Sequence, residues 1–428
     1  MGTVVKTGLK KNFLTIILLA LAGSIIYGLP YFRSYYYDAY VTAYNLTNTQ
    51  MGMLGSAYGF IGLVSYFIGG VLADRFAAKK LLVFSLLATG LGGFLHLFVS
   101  SFWPLFFIYG LWGITSLLTF WPALMKIVRM QANDDEQSRA YGLFEGTRGI
   151  TNVIHLAIAT AIFGFFQSRA TALVGLNWII IFYSVIPIVC GLAFIFILKE
   201  PTSVEENQAQ EKLTFKDVID VLKMPALWLS IGIMFTSYVF NMSIYYFTPY
   251  ASNVIGTSAV FAAVVAMLAQ YCRLVAAPFG GFLADKISKS MVMFAGFVFL
   301  ALGTFLLIVS SGVSGQLQVV VLVVAASMVY IAMYSNYGIF FSFLSEGGIP
   351  LRLSGVAIGL ASTLGYLPEV VVPLAAGNIL DRYPGNTGYF IYFSIMIAMA
   401  AIGAVLCIIW SKTYGKKYRL KMAAKEAK

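Results

Sequence analysis

The chain has 428 residues, of which 60% are hydrophobic and only 11% charged, and its mean hydropathy is +0.85. This composition excludes a soluble globular protein, whose apolar fraction is lower and whose charged fraction is about twice as large. The formal net charge of +11 indicates an anionic partner, either a nucleic acid or a membrane surface, and the positions of the charges distinguish the two.

Twelve apolar stretches, which we number spans 1 to 12, follow one another along the chain. Each can cross the ~30 Å hydrocarbon core of a bilayer as a helix, which takes ~20 residues. The first is long and lacks a small-residue cleavage site, so it predicts a retained helix rather than a signal peptide. In chain order the spans cover residues 13–35, 50–73, 81–99, 104–128, 140–166, 174–198, 226–249, 258–284, 291–311, 316–343, 354–378 and 388–410.

The positive charges are distributed unevenly between the two sides of these spans. Of the 28 Lys and Arg residues, only Arg169 and Arg382 fall in predicted external loops, and Arg33, Arg148 and Arg273 lie within spans or at their edges. The others fall on the cytoplasmic side if the N-terminus is cytoplasmic, as the positive-inside rule requires. Both termini are therefore predicted to be cytoplasmic. The basic charge reflects topology in a lipid bilayer and does not indicate nucleic-acid binding.

One long polar interruption divides the spans into two sets of six. The predicted organisation is an N-terminal half (residues 1–198), a cytoplasmic linker (199–225), a C-terminal half (226–411) and a basic cytoplasmic tail (412–428). The end of the linker, from Thr214 to Lys223, has apolar residues at helical spacing. This pattern predicts a short amphipathic helix on the membrane surface, with Thr214 as its cap.

The same phrase closes spans 2 and 8. The first copy is Gly70-Val71-Leu72-Ala73-Asp74-Arg75, and the second is Gly281-Phe282-Leu283-Ala284-Asp285-Lys286. Two matched hydrophobic halves are typical of a transporter built from two repeats. The phrase resembles the G-x-L-a-D-R-x-g-R-[KR] loop of the major facilitator superfamily. The resemblance implies an all-α membrane protein with twelve transmembrane helices in two pseudo-symmetric six-helix halves, which transports by alternating access around a central site.

The resemblance also implies a gating role for charged residues near the cytoplasmic loops, where they latch the halves in one state and release them in the other. The alternative is that these charges only set the topology. The second copy is less basic, because Ser288 and Ser290 stand where basic residues are expected, and this predicts a weaker latch. The predicted gating residues are Asp74, Arg75, Glu136, Arg139, Asp285 and Lys286.

Span 5 carries a polar stripe. Its members recur at helical spacing and are Glu145, Arg148, Asn152 and His155. A charge at the centre of a bilayer costs ~2.5–3.5 kcal/mol on the mildest scale, so the stripe is predicted to face the interior of the bundle. The corresponding positions of span 11 include Ile358 and Ala361, so the charges belong to one half only. This asymmetry favours a substrate site over a purely structural device.

Three further charges lie within spans: Arg33 in span 1, Arg273 in span 8 and Glu369 in span 11. Arg273 and Glu369 could instead form an ion pair that ties their spans together. Arg33 could instead be an interfacial arginine whose head reaches water among tyrosines. For His155, as for His96 in span 3, a hydrogen-bonded core histidine is the alternative to a proton carrier.

The intramembrane charges have a positive surplus, since Arg33, Arg148 and Arg273 face only Glu145 and Glu369. Arginine suits forked recognition of carboxylate, phosphate or sulfonate, so the predicted substrate is a small organic anion. The predicted proton-coupling residues are Glu145, Glu369 and His155, which would make the protein a proton-coupled symporter.

Polar and aromatic residues at helical spacing add candidates for the substrate site. These are Tyr27 and Tyr31 in span 1, Asn152 in span 5, Tyr238, Asn241 and Tyr245 in span 7, and Tyr334 in span 10. Such tyrosines can also be packing residues only. A wall rich in hydroxyl groups would suit a polyhydroxylated substrate such as a sugar acid.

Within the superfamily, the N-terminal half resembles the organophosphate–phosphate antiporter and anion–cation symporter branches. The resembling residues are Tyr31-Phe-Arg33, Tyr58-Gly-Phe, Gly69-Gly-Val-Leu-Ala-Asp74, Glu136-x-x-Arg139 and Phe144-Glu-Gly-Thr-Arg148. The branch implies an anion-binding role for Arg33, and it commonly has a histidine where Arg148 stands. Its phosphate-specific members add an arginine from span 7, which residues 238–249 lack, so a carboxylate or sulfonate is favoured over a phosphosugar.

The sequence therefore predicts a secondary transporter of the bacterial inner (cytoplasmic) membrane, expected to be a monomer, that moves a sugar acid, carboxylate or sulfonate. Two rivals are a drug efflux pump and a transporter-like sensor of a sugar phosphate. We expect no enzymatic activity and no cofactor, because no catalytic or nucleotide-binding constellation stands out. The three cysteines, Cys190, Cys272 and Cys407, lie in apolar stretches and indicate neither disulfides nor a metal site.

Overall fold

The computed structural model describes residues 9–131, 137–198, 215–340, 342–350 and 353–416, and within these ranges the chain forms helices and no strands. Ten helices and one bent pair are long and apolar enough to cross a membrane. The one remaining span is span 2, the helix Asn48–Arg75, whose 28 residues make it ~42 Å long. The prediction of twelve transmembrane helices is confirmed.

The chain divides into two compact units, Met1–Gln210 and Glu211–Lys428, and the division falls within the predicted linker. In the first unit the spans are Leu9–Ile25 with Gly28–Tyr35 and Tyr37–Ala43, Asn48–Arg75, Ala78–His96, Phe102–Gly113 with Ile114–Phe120 and Trp121–Met130, Gln137–Arg169, and Ala172–Ile197. In the second they are Pro225–Ser243 with Ile244–Tyr246 and Phe247–Asn253, Ala259–Lys286, Lys289–Ser310, Gln316–Tyr337, Ser354–Gly365 with Pro368–Arg382, and Asn386–Trp410.

Three shorter elements lie outside these spans. The predicted amphipathic helix is present as Phe215–Leu222, although its predicted cap Thr214 lies outside the described residues. Span 10 ends at Tyr337, six residues before the predicted end, and the helix Ser342–Glu346 follows it. A π-helical turn, Ser411–Gly415, extends span 12.

Span 1 is bent by 48° between residues 10–25 and 28–35, whereas the sequence predicts one continuous helix. Pro30 explains the bend, because it has no N–H to donate to the carbonyl of Ile26 and its ring crowds the preceding turn. At the bend the N–H of Tyr27 bonds to the carbonyl of Ser24 at 3.3 Å, so the Gly23 carbonyl loses its regular helical donor.

Two other spans depart from regular α-helix beside a proline. Span 4 is π-helical over Ile114–Phe120, immediately before Trp121 and Pro122. Span 11 breaks at Tyr366 and Leu367, and its second helix begins with Pro368. Proline disfavours α-helical geometry in the residue that precedes it and removes one backbone donor. These irregular segments lie beside polar side chains of the candidate site described below.

The core of the first unit joins spans 1, 3, 4, 5 and 6 through buried aliphatic and aromatic side chains. Beside this core, span 1 and span 6 are in close contact at Gly28 and Tyr183. A Cβ atom on Gly28 would lie 2.2 Å from a ring carbon of Tyr183, which is itself 1% exposed. Only glycine therefore allows span 1 to approach span 6 this closely.

Replacing Gly28 with alanine is expected to destabilise the protein by about 1–3 kcal/mol, because the added methyl group forces a fully buried ring out of place. Thermal unfolding of the detergent-solubilised protein measures this loss. Gly110→Ala is the matched control, since a Cβ there meets nothing within 4 Å. The control should be neutral or slightly stabilising, and equal melting temperatures for the two variants would contradict the packing argument.

Candidate functional site

The predicted polar stripe of span 5 is a continuous chain of bonds in the structure. Arg148 donates from Nη1 to the Glu145 carboxylate at 2.8 Å and from Nε to the Gly23 carbonyl at 3.1 Å. The Gly23 carbonyl is the group that the bend of span 1 leaves without its regular helical donor. Arg148 therefore attaches span 5 to span 1 just before the bend.

Arg148 is 9% exposed and lies between two aromatic rings, with its guanidinium carbon 4.8 Å from the centre of Trp121 and 5.6 Å from that of Phe144. Glu145 is more open, with half of its side chain exposed. The two charges cancel at close range. Arg148 therefore adds less to the positive field than the sequence alone suggests.

The stripe continues through Asn152 and His155. The Asn152 carbonyl oxygen accepts a short hydrogen bond from Ser24 of span 1, and His155 Nε2 lies 3.1 Å from the same oxygen. His155 Nδ1 lies 3.0 Å from the Tyr183 hydroxyl of span 6. A neutral imidazole that donates from Nε2 and accepts at Nδ1 satisfies all of these contacts. The geometry is that of a hydrogen-bonded core histidine.

Arg33 lies outside this chain of bonds and differs from Arg148 in having no acidic neighbour. It is 8% exposed, its Nη1 donates to the Met51 carbonyl at 3.3 Å, and its guanidinium lies 5.1 Å from the ring centre of Tyr109. Its Nε has no hydrogen-bond partner, and it forms no ion pair within the described part of the chain. This burial contradicts the alternative of an interfacial arginine whose head reaches water.

Tyrosines of spans 1 and 2 meet the π-helical segment of span 4. The Tyr58 hydroxyl lies 3.0 Å from the Ser116 hydroxyl, and the Tyr27 hydroxyl reaches the Ser116 carbonyl at 3.5 Å. The rings of Tyr31 and Tyr58 are in edge contact, with centroids 5.4 Å apart. Tyr27 also contacts Trp121, whose ring faces Arg148. These contacts connect the predicted tyrosines Tyr27 and Tyr31 to the stripe of span 5.

His96 occupies an aromatic cage rather than a polar site. Its ring lies 2.7 Å from the Tyr40 hydroxyl and 3.4 Å from that of Tyr44, and it stacks on Trp112 with an interplanar angle of 9°. It is fully buried. Hydrogen bonding of both nitrogens again matches a core histidine.

In the second unit, Glu369 of span 11 is buried at 9% exposure and accepts a short hydrogen bond from the Tyr238 hydroxyl of span 7. The rings of Tyr238 and Tyr366 lie 4.3 Å apart. The described residues contain no ion pair between Arg273 and Glu369, so that alternative is wrong. The partner of Glu369 is Tyr238 of span 7, not Arg273 of span 8. Glu369 thus contacts a phenol, and among the described residues it forms no ion pair with a cation.

Arg273 is half-buried, and its guanidinium lies 5.8 Å from the ring centre of Tyr334, which is 4% exposed. Asn241 and Tyr245 are half-buried on span 7, near and within its 3₁₀ turn at Ile244–Tyr246. The structure thus pairs Arg273 with one of the predicted tyrosines, and it keeps this pair separate from the Glu369–Tyr238 contact.

The predicted gating residues are described only in part. Glu136 and the side chains of Asp74, Arg75, Arg139 and Asp285 lie outside the described part of the structure. Lys286 ends the helix Ala259–Lys286, is exposed, and contacts the ring of Phe282 on its own helix at 5.0 Å. The gating role stays a prediction.

Several residues of the site carry no signal in the sequence. Ser24, Ser116, Trp121 and Tyr183 are ordinary members of apolar spans and gain their importance only through partners on other spans. Glu346 was also missed. It is a buried carboxylate, 8% exposed, that accepts a hydrogen bond at 3.1 Å from Trp410 at the end of span 12.

The fold and the site define a class of protein, namely a multi-pass helical membrane protein with buried tyrosines in both units, buried arginines in the first and buried carboxylates in the second. Among the described residues, no group of three or more His, Cys, Asp or Glu side chains could hold a metal ion. The family model of the Major Facilitator Superfamily matches residues 13–373, and the chain belongs to this superfamily of transporters.

Similar proteins cover nearly the whole chain. The inner membrane protein YihN of Escherichia coli (strain K12) is 30% identical over 420 residues, which span 97% of this chain and 99% of that protein. Multidrug resistance protein 2 of Bacillus subtilis (strain 168) is 23% identical over 86% of this chain and 88% of its own length. The probable galactarate/D-glucarate transporter GarP of E. coli K12 is 21% identical over 85% of this chain and 86% of its own.

Among solved structures, a bacterial homolog of the human lysosomal transporter Spinster, in an inward-facing and unoccupied conformation, superimposes with a TM-score of 0.77. The two chains are 15% identical, and the match covers 96% of this chain and 98% of that one. This likeness shows the fold.

Proposed function

We propose that the protein is a secondary active transporter that moves a small organic anion, namely a sugar acid, carboxylate or sulfonate, by alternating access. The observation that carries the proposal is Arg33, a buried guanidinium that has no acidic partner among the residues the structure describes and whose Nε is unbonded there. A buried cation is costly unless it is paired. An anionic ligand would supply that missing partner.

The charges of the remaining arginines support the same choice. Arg148 is neutralised by Glu145 on its own helix, whereas Arg33, the other buried arginine of the described part of the first unit, forms no ion pair there. Near the π-helical segment of span 4, the Tyr58 hydroxyl meets the Ser116 hydroxyl, the Tyr27 hydroxyl reaches the Ser116 carbonyl, and the ring of Tyr31 contacts that of Tyr58. Phenol groups suit the hydroxyl groups of a sugar acid, and galactarate and D-glucarate, for which GarP is named as a probable transporter, belong to that class.

The proposal includes the bacterial inner membrane, both termini on the cytoplasmic side, and coupling to protons. The location is supported by the name of YihN, and the orientation by the positive-inside rule. Proton coupling is supported by the carboxyl groups inside the spans, of which Glu369 has no cation in contact.

Drug efflux is the second candidate, favoured by the similarity to Multidrug resistance protein 2 at an identity comparable to that of GarP. The two functions differ in what they require of Arg33. A pump for lipophilic compounds selects its substrates through apolar and aromatic walls, so it does not need an unpaired buried arginine.

Counterflow in proteoliposomes tests the proposal. Vesicles loaded with unlabelled gluconate, isethionate, glucose 6-phosphate or pyruvate are diluted into the same labelled compound, and a lipophilic cation is tested for efflux in parallel. We expect exchange of a carboxylate or sulfonate and none of the lipophilic cation. Efflux of the lipophilic cation without anion exchange would favour drug efflux. Ligand binding in detergent without any counterflow would indicate a sensor.

A further inference from the structure

We propose that Glu369 is the residue that gains and loses the coupling proton, and that Tyr238 stabilises its charged form through a hydrogen bond. The inference rests on the proposed function, because it assigns the proton coupling of that transporter to one side chain. Three groups are candidates from the sequence, Glu145, His155 and Glu369, and the structure gives each a different surrounding.

Glu145 is unsuited to the role. It holds Arg148 at 2.8 Å in an ion pair, and half of its side chain is exposed. Protonation would break the ion pair and leave Arg148 buried without its counter-charge.

His155 is unsuited for a different reason. Both of its ring nitrogens are bonded, one to Asn152 and one to Tyr183. A second proton on the ring would turn the Nδ1 acceptor into a donor facing the Tyr183 hydroxyl, and it would add a charge to a site with no carboxylate in contact. The neutral ring is the form that fits this surrounding.

The surroundings of Glu369 contain features that favour its neutral form and features that favour its charged form. Burial without a cation disfavours the carboxylate. The hydrogen bond from Tyr238 favours it, and so does the position of Glu369 in the first turn of the helix Pro368–Arg382, where the helix dipole is positive. Because these effects oppose each other, a small movement of the hydrogen-bond donor Tyr238 is enough to change the protonation of the carboxyl group.

The side chains that the structure places around Glu369 are tyrosines. Span 7 contributes Tyr238, and span 11 itself contributes Tyr366 beside the break. Both are phenols, and within the described part of the chain no cationic side chain forms an ion pair with the carboxyl group.

The break at Tyr366 and Leu367 is a point where the backbone next to Glu369 can rotate. The backbone there leaves the regular helix, and the Glu369 N–H bonds to the Tyr366 carbonyl at 2.9 Å. A rotation at this break would change the contact between Glu369 and Tyr238. In the coupled step the carboxylate oxygen takes up one proton on one side of the membrane and releases it on the other, and no other bond is made or broken.

The test measures anion transport in proteoliposomes in two ways: as counterflow, which needs no pH gradient, and as accumulation driven by an imposed pH gradient. Glu369→Gln resembles the protonated side chain, so gluconate counterflow should persist, whereas accumulation driven by an imposed pH gradient should fall at least about tenfold. Glu346→Gln is the matched control, since Glu346 is equally buried and accepts one hydrogen bond from an aromatic N–H. The control should keep accumulation driven by the pH gradient.

The outcomes separate the two proposals. Absence of anion counterflow in the wild type overturns the proposed function. Counterflow with unaltered gradient-driven accumulation in Glu369→Gln, or loss of that accumulation in Glu145→Gln alone, overturns the assignment to Glu369.

A substrate-free measurement complements the transport assay. Infrared difference spectra of the purified protein between acid and alkaline pH should show the carbonyl stretch of a buried protonated carboxyl group, and Glu369→Gln should lack it. In Tyr238→Phe the band should shift in frequency, because the hydrogen bond from the phenol to the carboxyl group is gone. A band that is unchanged in Glu369→Gln would contradict the assignment.

Discussion

Replacing Arg33 with glutamine is expected to lower anion counterflow by about thirtyfold or more while the protein stays folded. Truncating one partner of a buried charge pair costs about 2–5 kcal/mol, and 1.4 kcal/mol is a factor of ten. The fold is spared because Arg33 has no acidic partner that the substitution would leave unpaired. Initial rates in proteoliposomes and melting temperatures in detergent measure the two effects.

Two variants make this result specific. Arg33→Lys keeps the charge but loses the planar fork and the flat contact with Tyr109, so its rate should lie between those of the wild type and Arg33→Gln. Arg169→Gln is the control, because Arg169 is exposed and its guanidinium lies over the ring of Phe165 on its own span. Equal losses in Arg33→Gln and Arg169→Gln would show that the effect is not specific to the buried site.

Replacing Arg148 with glutamine is expected to destabilise the ligand-free protein by about 2–4 kcal/mol. The substitution removes a charge-assisted hydrogen bond to the buried Gly23 carbonyl at the bend of span 1, which has no regular helical donor. It also leaves Glu145 without its counter-charge. Thermal unfolding in detergent without substrate measures the loss.

Comparison with Arg33→Gln distinguishes a structural arginine from a substrate arginine. The ligand-free melting temperature should fall in Arg148→Gln and stay unchanged in Arg33→Gln. Glu145→Gln should give a smaller loss than Arg148→Gln, because the bond from Arg148 to Gly23 remains. An unchanged melting temperature in Arg148→Gln would instead support a direct role for Arg148 in substrate binding.

Most of the fold was predictable because its signal is local. A run of apolar residues long enough to cross a bilayer predicts a span wherever it occurs, and the twelve spans agree with the prediction to within a few residues at most ends. The breaks were not predicted. Pro30 and Pro368 accompany a bend and a break, whereas Pro187 and Pro278 lie inside continuous helices. Whether a proline breaks a helix depends on the partners that neighbouring spans offer to the freed carbonyl groups.

The candidate site was predictable only in part. The cost of a charge in a bilayer identified the stripe of span 5, and the spacing of Glu145 and Arg148 is compatible with the ion pair observed between them. Their partners Gly23, Ser24 and Tyr183 could not be found, because they lie on other spans and belong to residue types common in apolar helices. The pairing of Glu369 with Tyr238 depends on the packing of spans 7 and 11, which no local pattern encodes.

The most direct test of anion recognition by Arg33 compares gluconate with sorbitol, a neutral polyol of the same chain length, in counterflow by the wild type and Arg33→Gln. The unpaired guanidinium predicts exchange of gluconate but not of sorbitol by the wild type, and loss of gluconate exchange in the variant. Equal exchange of the two compounds by the wild type, or gluconate exchange that survives in Arg33→Gln, would contradict it.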